Sequence, residues 1–566
     1  MRLNGAQALV RCLAAEQVGF AFGIASGKLT PLLHALSLTP QIRFVGLRHE
    51  AAGAMMAAAV FAGSGRVALA LGEMGPGGLN LAAGAGVAFN NNLAALLVTT
   101  NQHHAAAYPH RGMFMDMDTR AVFASLTKWN ATVTDARRIP ELVRTAFREA
   151  LSGRPGPVHL DIAQDVLAAP CEVADEDLDV APQRYRTLGG PRPAAAAIAA
   201  AADLLGNAKR PLIVAGGGIV TSGAQARVAE LAALLHAPVV PTQMALGVVA
   251  STSPHFIGHG GLIAGGAVRQ AFERADAVLS VGCRYSSWMW DQQGPFVRPA
   301  HRHVNINIDP AALGAPALHD VGIQADASEA LRDLLAALTA RSVHAEAEWL
   351  PSMRAARARD EQGLAALAAE DGPAMHPAAL AAAIGQALPR DALAVYDGGH
   401  TTFWSNDLTP VHAVRTRFHD PGMSQLGFGL PYALALQLAH PERPVFNITG
   451  DGSFGFTLQE LDTARRERLP VITLIHNNEA WGIIRAGQRK QFDFEFATSL
   501  EGTDYAAIAR GFGCHGDTVT QASDVAAAIA RAQASGLPAV IDCRTRFVPH
   551  PCMPAFASMN RFGFDA

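Results

Sequence analysis

The sequence predicts an α/β protein of three doubly wound parallel-sheet domains, and three observations carry that prediction. Residues 445–449 run into Gly450-Asp451-Gly452-Ser453, and residues 471–475 run into Asn477-Asn478. Both runs are short, apolar and rich in β-branched residues, as buried parallel strands are, and residues 456–468 between them carry apolar side chains at helical spacing. Helix and strand patterns also alternate from Leu3 to about Ala169, and a second such series opens at Pro211.

Composition bounds the partners. A chain of 566 residues, 50% hydrophobic, is long enough for three or four cores, and a formal charge of −4 offers no basic field for nucleic acid. The six cysteines (12, 171, 283, 514, 543 and 552) include no CxxC pair, which argues against a disulfide framework and for a reducing compartment. Residues 1–20 carry Arg2, Arg11 and Glu16 in an amphipathic pattern, a helix and not a signal peptide. No apolar run reaches the roughly 18 residues of a membrane span, so the expectation is a cytoplasmic protein with no membrane partner.

Taken in order, helices are predicted over 7–17 and 32–38, and strands over 18–23 and 44–47, the second ending at Arg48-His49-Glu50. Glu50 opens an alanine-rich helix to Ala62; strand 67–71, a loop at 75–80 and strand 96–99 follow, and strand 158–162 closes the domain. A carboxylate at the mouth of that helix either caps it through the helix dipole or, partly desolvated, holds a proton or pairs with a protonatable ring nitrogen. The stretch 101–129 is less regular and holds His103, His104 and His110, which are either proton shuttles or surface loop residues.

An acidic linker, 172–193, ends in Gly189-Gly190-Pro191. Central strands follow at 211–215, 239–240, 277–282 and 304–309. Gly216-Gly217-Gly218 lacks the full Gly-x-Gly-x-x-Gly spacing of a dinucleotide turn. An alanine-rich helical connection, 330–370, leads to helix 379–388, strand 393–396 and Asp397-Gly398-Gly399-His400-Thr401.

The chemistry concentrates at 450–478. A right-handed crossover brings the carboxyl ends of both strands to one sheet edge, so Asp451 and Asn478 converge where such sheets bind ligands. Their hard oxygens suit Mg²⁺ or Ca²⁺, and Gly450 and Gly452 free backbone N–H groups for a phosphate. This pattern resembles the diphosphate signature of thiamine diphosphate (ThDP) enzymes. In the acetolactate synthase group of that family, an Arg/His-Glu before a small-residue helix is followed by Gly-Pro-Gly-x-x-Asn, as in Arg48-His49-Glu50 and in Gly75 to Asn80.

The resemblance implies a pyrimidine-binding domain at 1–170, a central domain at 190–340, a diphosphate-binding domain at 375–548 and a tail at 549–566. Glu50 would contact N1′ of the aminopyrimidine and drive its 4′-imino tautomer. Gly399, His400, Thr401, Gly450, Asp451, Gly452 and Ser453 would meet the diphosphate, and Asp451, Asn478 and the Ala480 carbonyl would hold Mg²⁺. In Gly422 to Pro431, Leu426 would wedge the two rings into a V and the Ser424 carbonyl would accept from the 4′-amino group; ordinary core is the other reading of Leu426. His110 and His104 would relay protons. Arg485 either clamps a substrate carboxylate or lies on the surface.

Two departures bear on substrate: Met115 and Gly487 stand where acetolactate synthases have a glutamine and a tryptophan. The flavin-binding segment of those enzymes is replaced by Arg284-Tyr285-Ser286-Ser287-Trp288, so the central domain is expected to be structural, without FAD, with Trp288 packing or lining a pocket. The expected function is a ThDP- and Mg²⁺-dependent decarboxylase or carboligase acting on a 2-oxoacid, a homodimer or homotetramer with sites between subunits. The alternatives are a benzaldehyde lyase-like 2-hydroxyketone lyase acting on aldehydes and a non-catalytic nucleotide-binding module, which would not need Glu50.

Overall fold

The computed structural model describes residues 3–107, 110–291 and 294–552. Each predicted domain contains a parallel sheet. In the first, the strands lie in the order Arg43–Gly46, Phe20–Gly23, Leu69–Gly72, Leu96–Asn101, Val158–Ala163, Trp129–Val133. In the last, the order is Arg417–His419, Leu393–Asp397, Val445–Gly450, Ile472–Asn477, Ala539–Arg544, His515–Val519. Numbered along the chain, both sheets run 2-1-3-4-6-5. The central sheet runs 2-1-3-4-5, from Val239–Pro241 through Pro211–Ala215, Ala277–Val281 and Arg302–Asn307 to Val321–Gln324.

In all three sheets the chain reverses its direction of winding between the first strand and the third. Loops at that point splay apart on the carboxyl edge and leave a crevice.

The outer domains share one core. Helix Glu50–Ser64 is apolar on every side, as a helix buried all round must be, and it packs against helix Gly429–Ala439 of the third domain. Gly63 permits the approach: a Cβ there would lie 2.6 Å from Leu436 Cδ2. The cap of this helix is His49, whose ring accepts from the Ala51 N–H at 3.2 Å, which leaves Glu50 in the first turn with its carboxylate available.

Three elements differ from the sequence reading. Residues 75–80 are not a loop: helix Pro76–Asn90 starts there, with Gly75 at φ +68° and Pro76 at the first helical position, where its missing N–H costs nothing. Strand Trp129–Val133, in the stretch read as irregular, adds an edge strand beside Val158–Ala163. The 456–468 helix shortens to Glu460–Glu467, preceded by a helical turn at Asp451–Phe454. Five of the six cysteines are buried thiols and Cys552 is half-buried, and no helix among the described residues is long and apolar enough to cross a membrane. Of the tail at 549–566, residues 553–566 lie outside the described residues.

Candidate active site

The third domain's switch point lies between Leu393–Asp397 and Val445–Gly450, and a cavity of about 300 Å³ opens there. Gly399, His400, Thr401, Ser424, Leu426, Gly450, Asp451, Gly452, Ser453, Asn478 and Ala480 all line it. One backbone group sets its floor: the Ala480 N–H donates to Asp451 Oδ2 and to Asn478 Oδ1, both at 3.1 Å. A buried carboxylate and an amide oxygen are thereby held side by side, with Tyr505 donating to the Asp451 carbonyl at 3.0 Å.

Burial pushes the Asp451 carboxyl up to about 6 against four backbone N–H donors, and it makes no ion pair among the described residues. The glycines keep the site open. Gly398 holds φ +90°, and a Cβ on Gly452 would lie 2.4 Å from the Trp481 ring. Gly452→Ala should therefore cost about 1–3 kcal/mol of stability by overpacking, read as a lower denaturant midpoint of the cofactor-free protein.

The walls hold polar atoms with no protein partner: Asp397 Oδ1 and both ring nitrogens of His400 and His476. Burial raises Asp397 to about 7 and lowers His400, His419 and His476 to about 3, so the imidazoles are neutral. Buried polar atoms of this kind call for a polar occupant. A diphosphate with a hard divalent cation fits them: Asp451, Asn478 and the Ala480 carbonyl offer oxygens to the cation, and the glycine loops and imidazoles offer donors to phosphate.

Asp420 shapes the opposite wall. Its carboxylate accepts from the N–H groups of Met423 and Gln425, both at 2.9 Å, and from Asn91, which turns Ser424 to φ +53°. Leu426 is half-buried and lines the cavity instead of the core. Trp288 also lines it, its ring edge-on to Phe403 and His419. Sequence reasoning missed Asp397, Asp420, His419 and His476; only His476, at the end of the apolar run 471–475 and directly before Asn477, carried a local signal.

Glu50 lies elsewhere in the same chain. It accepts from Asn80 Nδ2 at 3.0 Å and abuts Gly77, on the carboxyl edge of the first domain's sheet, and does not line the 300 Å³ cavity. The peptides before it are fixed by Glu460, a fully buried carboxylate of the third domain that accepts from the N–H groups of Arg48 (3.2 Å) and His49 (3.0 Å). His104, exposed, starts a short helix, its N–H on Asp165 Oδ1. His110 Nδ1 meets Asp116 Oδ1 at 2.7 Å, an interaction that lowers the Asp116 carboxyl. Neither histidine lines the cavity.

Three family models cover most of the chain: thiamine pyrophosphate enzyme, N-terminal TPP binding domain (residues 3–122), central domain (198–334) and C-terminal TPP binding domain (397–543). The chain belongs to the thiamine pyrophosphate enzymes. Thiamine pyrophosphate is the ThDP of the sequence reading. Relatives include the acetolactate synthase large subunit of Parasynechococcus marenigrum, 30% identical over 557 residues, with 96% of this chain and 88% of the relative covered. The probable acetolactate synthase large subunit of Methanocaldococcus jannaschii is 28% identical (95% and 91% covered), and isozyme 1 of Escherichia coli K12 is 29% identical (90% and 88%). The protein is a ThDP-dependent enzyme of the acetolactate synthase group, and its three parallel-sheet domains match the family's three.

A second cavity, of about 570 Å³, opens at the switch point of this ThDP enzyme's central domain, where Gly217, Gly282, Asn307 and Asp309 face it. The expectation of a purely structural central domain thus meets a space large enough for a ligand. Arg284, on the wall of that space, donates to the Asn90 carbonyl of the first domain.

Proposed function

We propose that this ThDP enzyme is a Mg²⁺-dependent decarboxylase/carboligase of 2-oxoacids, working in the cytoplasm as a homodimer or homotetramer. The observation that carries the reading is the shared Ala480 N–H, which holds Asp451 and Asn478 together in a buried, polar, unpaired cavity while Glu50 stands on a different edge of the same chain. Asp451, Asn478 and the Ala480 carbonyl would hold Mg²⁺; Gly399, His400, Thr401, Gly450, Gly452 and Ser453 would receive the diphosphate. The Ser424 carbonyl and Leu426 would orient the rings, and Glu50 would exchange a proton with N1′ of the aminopyrimidine. Bound ThDP supplies the nucleophilic carbon and the electron sink for cleaving or forming a bond beside a carbonyl. His110 or His104 would relay protons at the mouth. The domain limits 1–170, 190–340 and 375–548 belong to the same reading.

Exposed apolar side chains support an interface between half-sites. Leu79, on the helix that carries Asn80, is exposed, as are Met113 and Phe114; Ile484 and Phe492, on the helix that starts at the cavity-lining Gly482, are exposed too, with Met423, Phe456 and Phe496. Large exposed apolar patches of this kind mark association surfaces. A second subunit would cover them and deliver Glu50 to the cofactor.

A screen of 2-oxoacids with CO₂ and ketone products both followed tests the assignment. Release of CO₂ is expected. Cleavage of 2-hydroxyketones without CO₂ release would favour the benzaldehyde lyase-like reading, to which Met115 and Gly487 lend some support. No flavin is proposed, since Arg284 is committed to Asn90; the purified protein should show no visible flavin band.

A further inference from the structure

The first domain has the strand order of the third, so it has its own switch point, between Phe20–Gly23 and Leu69–Gly72. The loop after the first of these strands carries Lys28, and the loop after the second carries Glu73 and Met74. Glu50 begins the helix after the adjacent strand, Arg43–Gly46. Lys28 therefore occupies the position at which open α/β sheets receive ligands, on the same edge as Glu50.

Its ammonium is poorly matched. Nζ lies 2.6 Å from Met74 Sδ, 3.4 Å from the Phe114 carbonyl and 5.9 Å from the Phe114 ring centroid. A thioether, a distant carbonyl and a phenyl face are weak partners for a full positive charge. Among the described residues Lys28 makes no ion pair. Burial lowers its pKa from the ordinary value, opposed by the nearby carboxylates Glu73 and Asp116. Both of those are engaged otherwise: Glu73 accepts from the Lys28 backbone N–H at 3.3 Å, and Asp116 takes His110 Nδ1 and the Arg111 N–H.

The competing cation is already committed. Arg485, beside the Asp451 cavity, pairs with Glu495 at 3.6 Å, bonds Thr498 Oγ1 at 3.3 Å and stacks over Phe547. A carboxylate arriving at this site would find Lys28 the less occupied partner. Phe114, 77% exposed, and Met113 beside it offer an apolar wall to the rest of the ligand.

We infer that Lys28 binds the anionic group of the substrate, the carboxylate of a 2-oxoacid, and so selects charged over neutral carbonyl compounds. The inference rests on the proposed function, in which this edge faces the cofactor cavity. A lysine suits the task because its compact charge and flexible stem can follow a carboxylate.

The test uses the full-length protein loaded with ThDP and Mg²⁺, titrated calorimetrically with oxamate, an unreactive 2-oxoacid mimic, and with its neutral counterpart oxamide. Lys28→Met should weaken oxamate by about 10- to 100-fold, the worth of a charge-assisted bond, while ThDP and oxamide affinities stay unchanged; Lys28→Arg should restore part of the loss. Wild-type oxamate affinity in Lys28→Met, or equal losses for oxamate and oxamide, overturns the inference alone. A wild-type protein that cleaves neutral 2-hydroxyketones but neither binds oxamate nor releases CO₂ from any 2-oxoacid removes the substrate reading and this inference with it.

Discussion

Asp451→Ala should abolish Mg²⁺-dependent retention of ThDP. Removing partners that merely support a metal ligand costs about 10–100-fold in affinity, so loss of the ligand itself should exceed about 100-fold, read by calorimetry or by cofactor recovered after gel filtration. A control separates this from misfolding. Asp451 has its carboxyl raised to about 6 from 3.8 by burial, so the folded protein binds the proton more tightly than the unfolded chain, and this group's contribution to stability falls as pH rises from about 4 to 6. Above pH 6 the cofactor-free protein holds a buried, unpaired charge. Without cofactor, the alanine variant should thus lack this part of the fall in stability between about pH 4 and 6, although it fails to hold ThDP. Unchanged retention of ThDP would remove Asp451 from the metal site.

The contrast between Asp451 and its neighbours shows what a sequence can disclose. Gly450, Asp451 and Asn478 were readable because their geometry is local: two strand ends, one crossover, glycines on either side. The same holds for Glu50, which follows a strand and opens a helix of small residues. Asp397, Asp420 and Glu460 were not readable. Each is a carboxylate whose task is to accept N–H groups from segments distant in sequence or newly turned toward it: Gly429 for Asp397, the 423–425 loop for Asp420, Arg48 and His49 for Glu460. Nothing in the local residue pattern records such a partner.

The misread elements have similar causes. Pro76 and Gly75 are turn residues by local rule, yet Pro at the first helical position and Gly with positive φ also build a helix start, and the tertiary packing of Pro76–Asn90 on Glu50–Ser64 chose the helix. Strand Trp129–Val133 alternates Trp129, Ala131 and Val133 with polar residues, as a one-sided edge strand does, so a search for continuous apolar runs passes over it. The separation of Glu50 from the Asp451 cavity has no local pattern behind it: the expectation of sites between subunits came from the family resemblance alone, and the structure adds that Glu50 does not line the Asp451 cavity of its own chain.

That separation gives Glu50→Gln its interest. The variant keeps the side chain's shape, and its amide oxygen can still accept from Asn80, so fold and ThDP affinity should stay near wild type. What it loses is the proton exchanged with N1′, and positioned acid-base groups contribute about 10²–10⁴-fold, so exchange of the C2 proton of bound ThDP for deuterium should slow by at least about 100-fold. Equal rates would end the assignment. Glu50→Gln and Asp451→Ala should each be inactive alone, for different reasons. If the working site joins Glu50 of one subunit to Asp451 of another, mixing the two variants under conditions of subunit exchange must restore activity. Random pairing makes half of the dimers mixed, and in each mixed dimer both lesions fall in one site and leave the other intact, so about a quarter of wild-type activity should return. A site assembled within one chain cannot respond in this way, because every subunit in the mixture then carries one lesion in its own site and no pairing removes it.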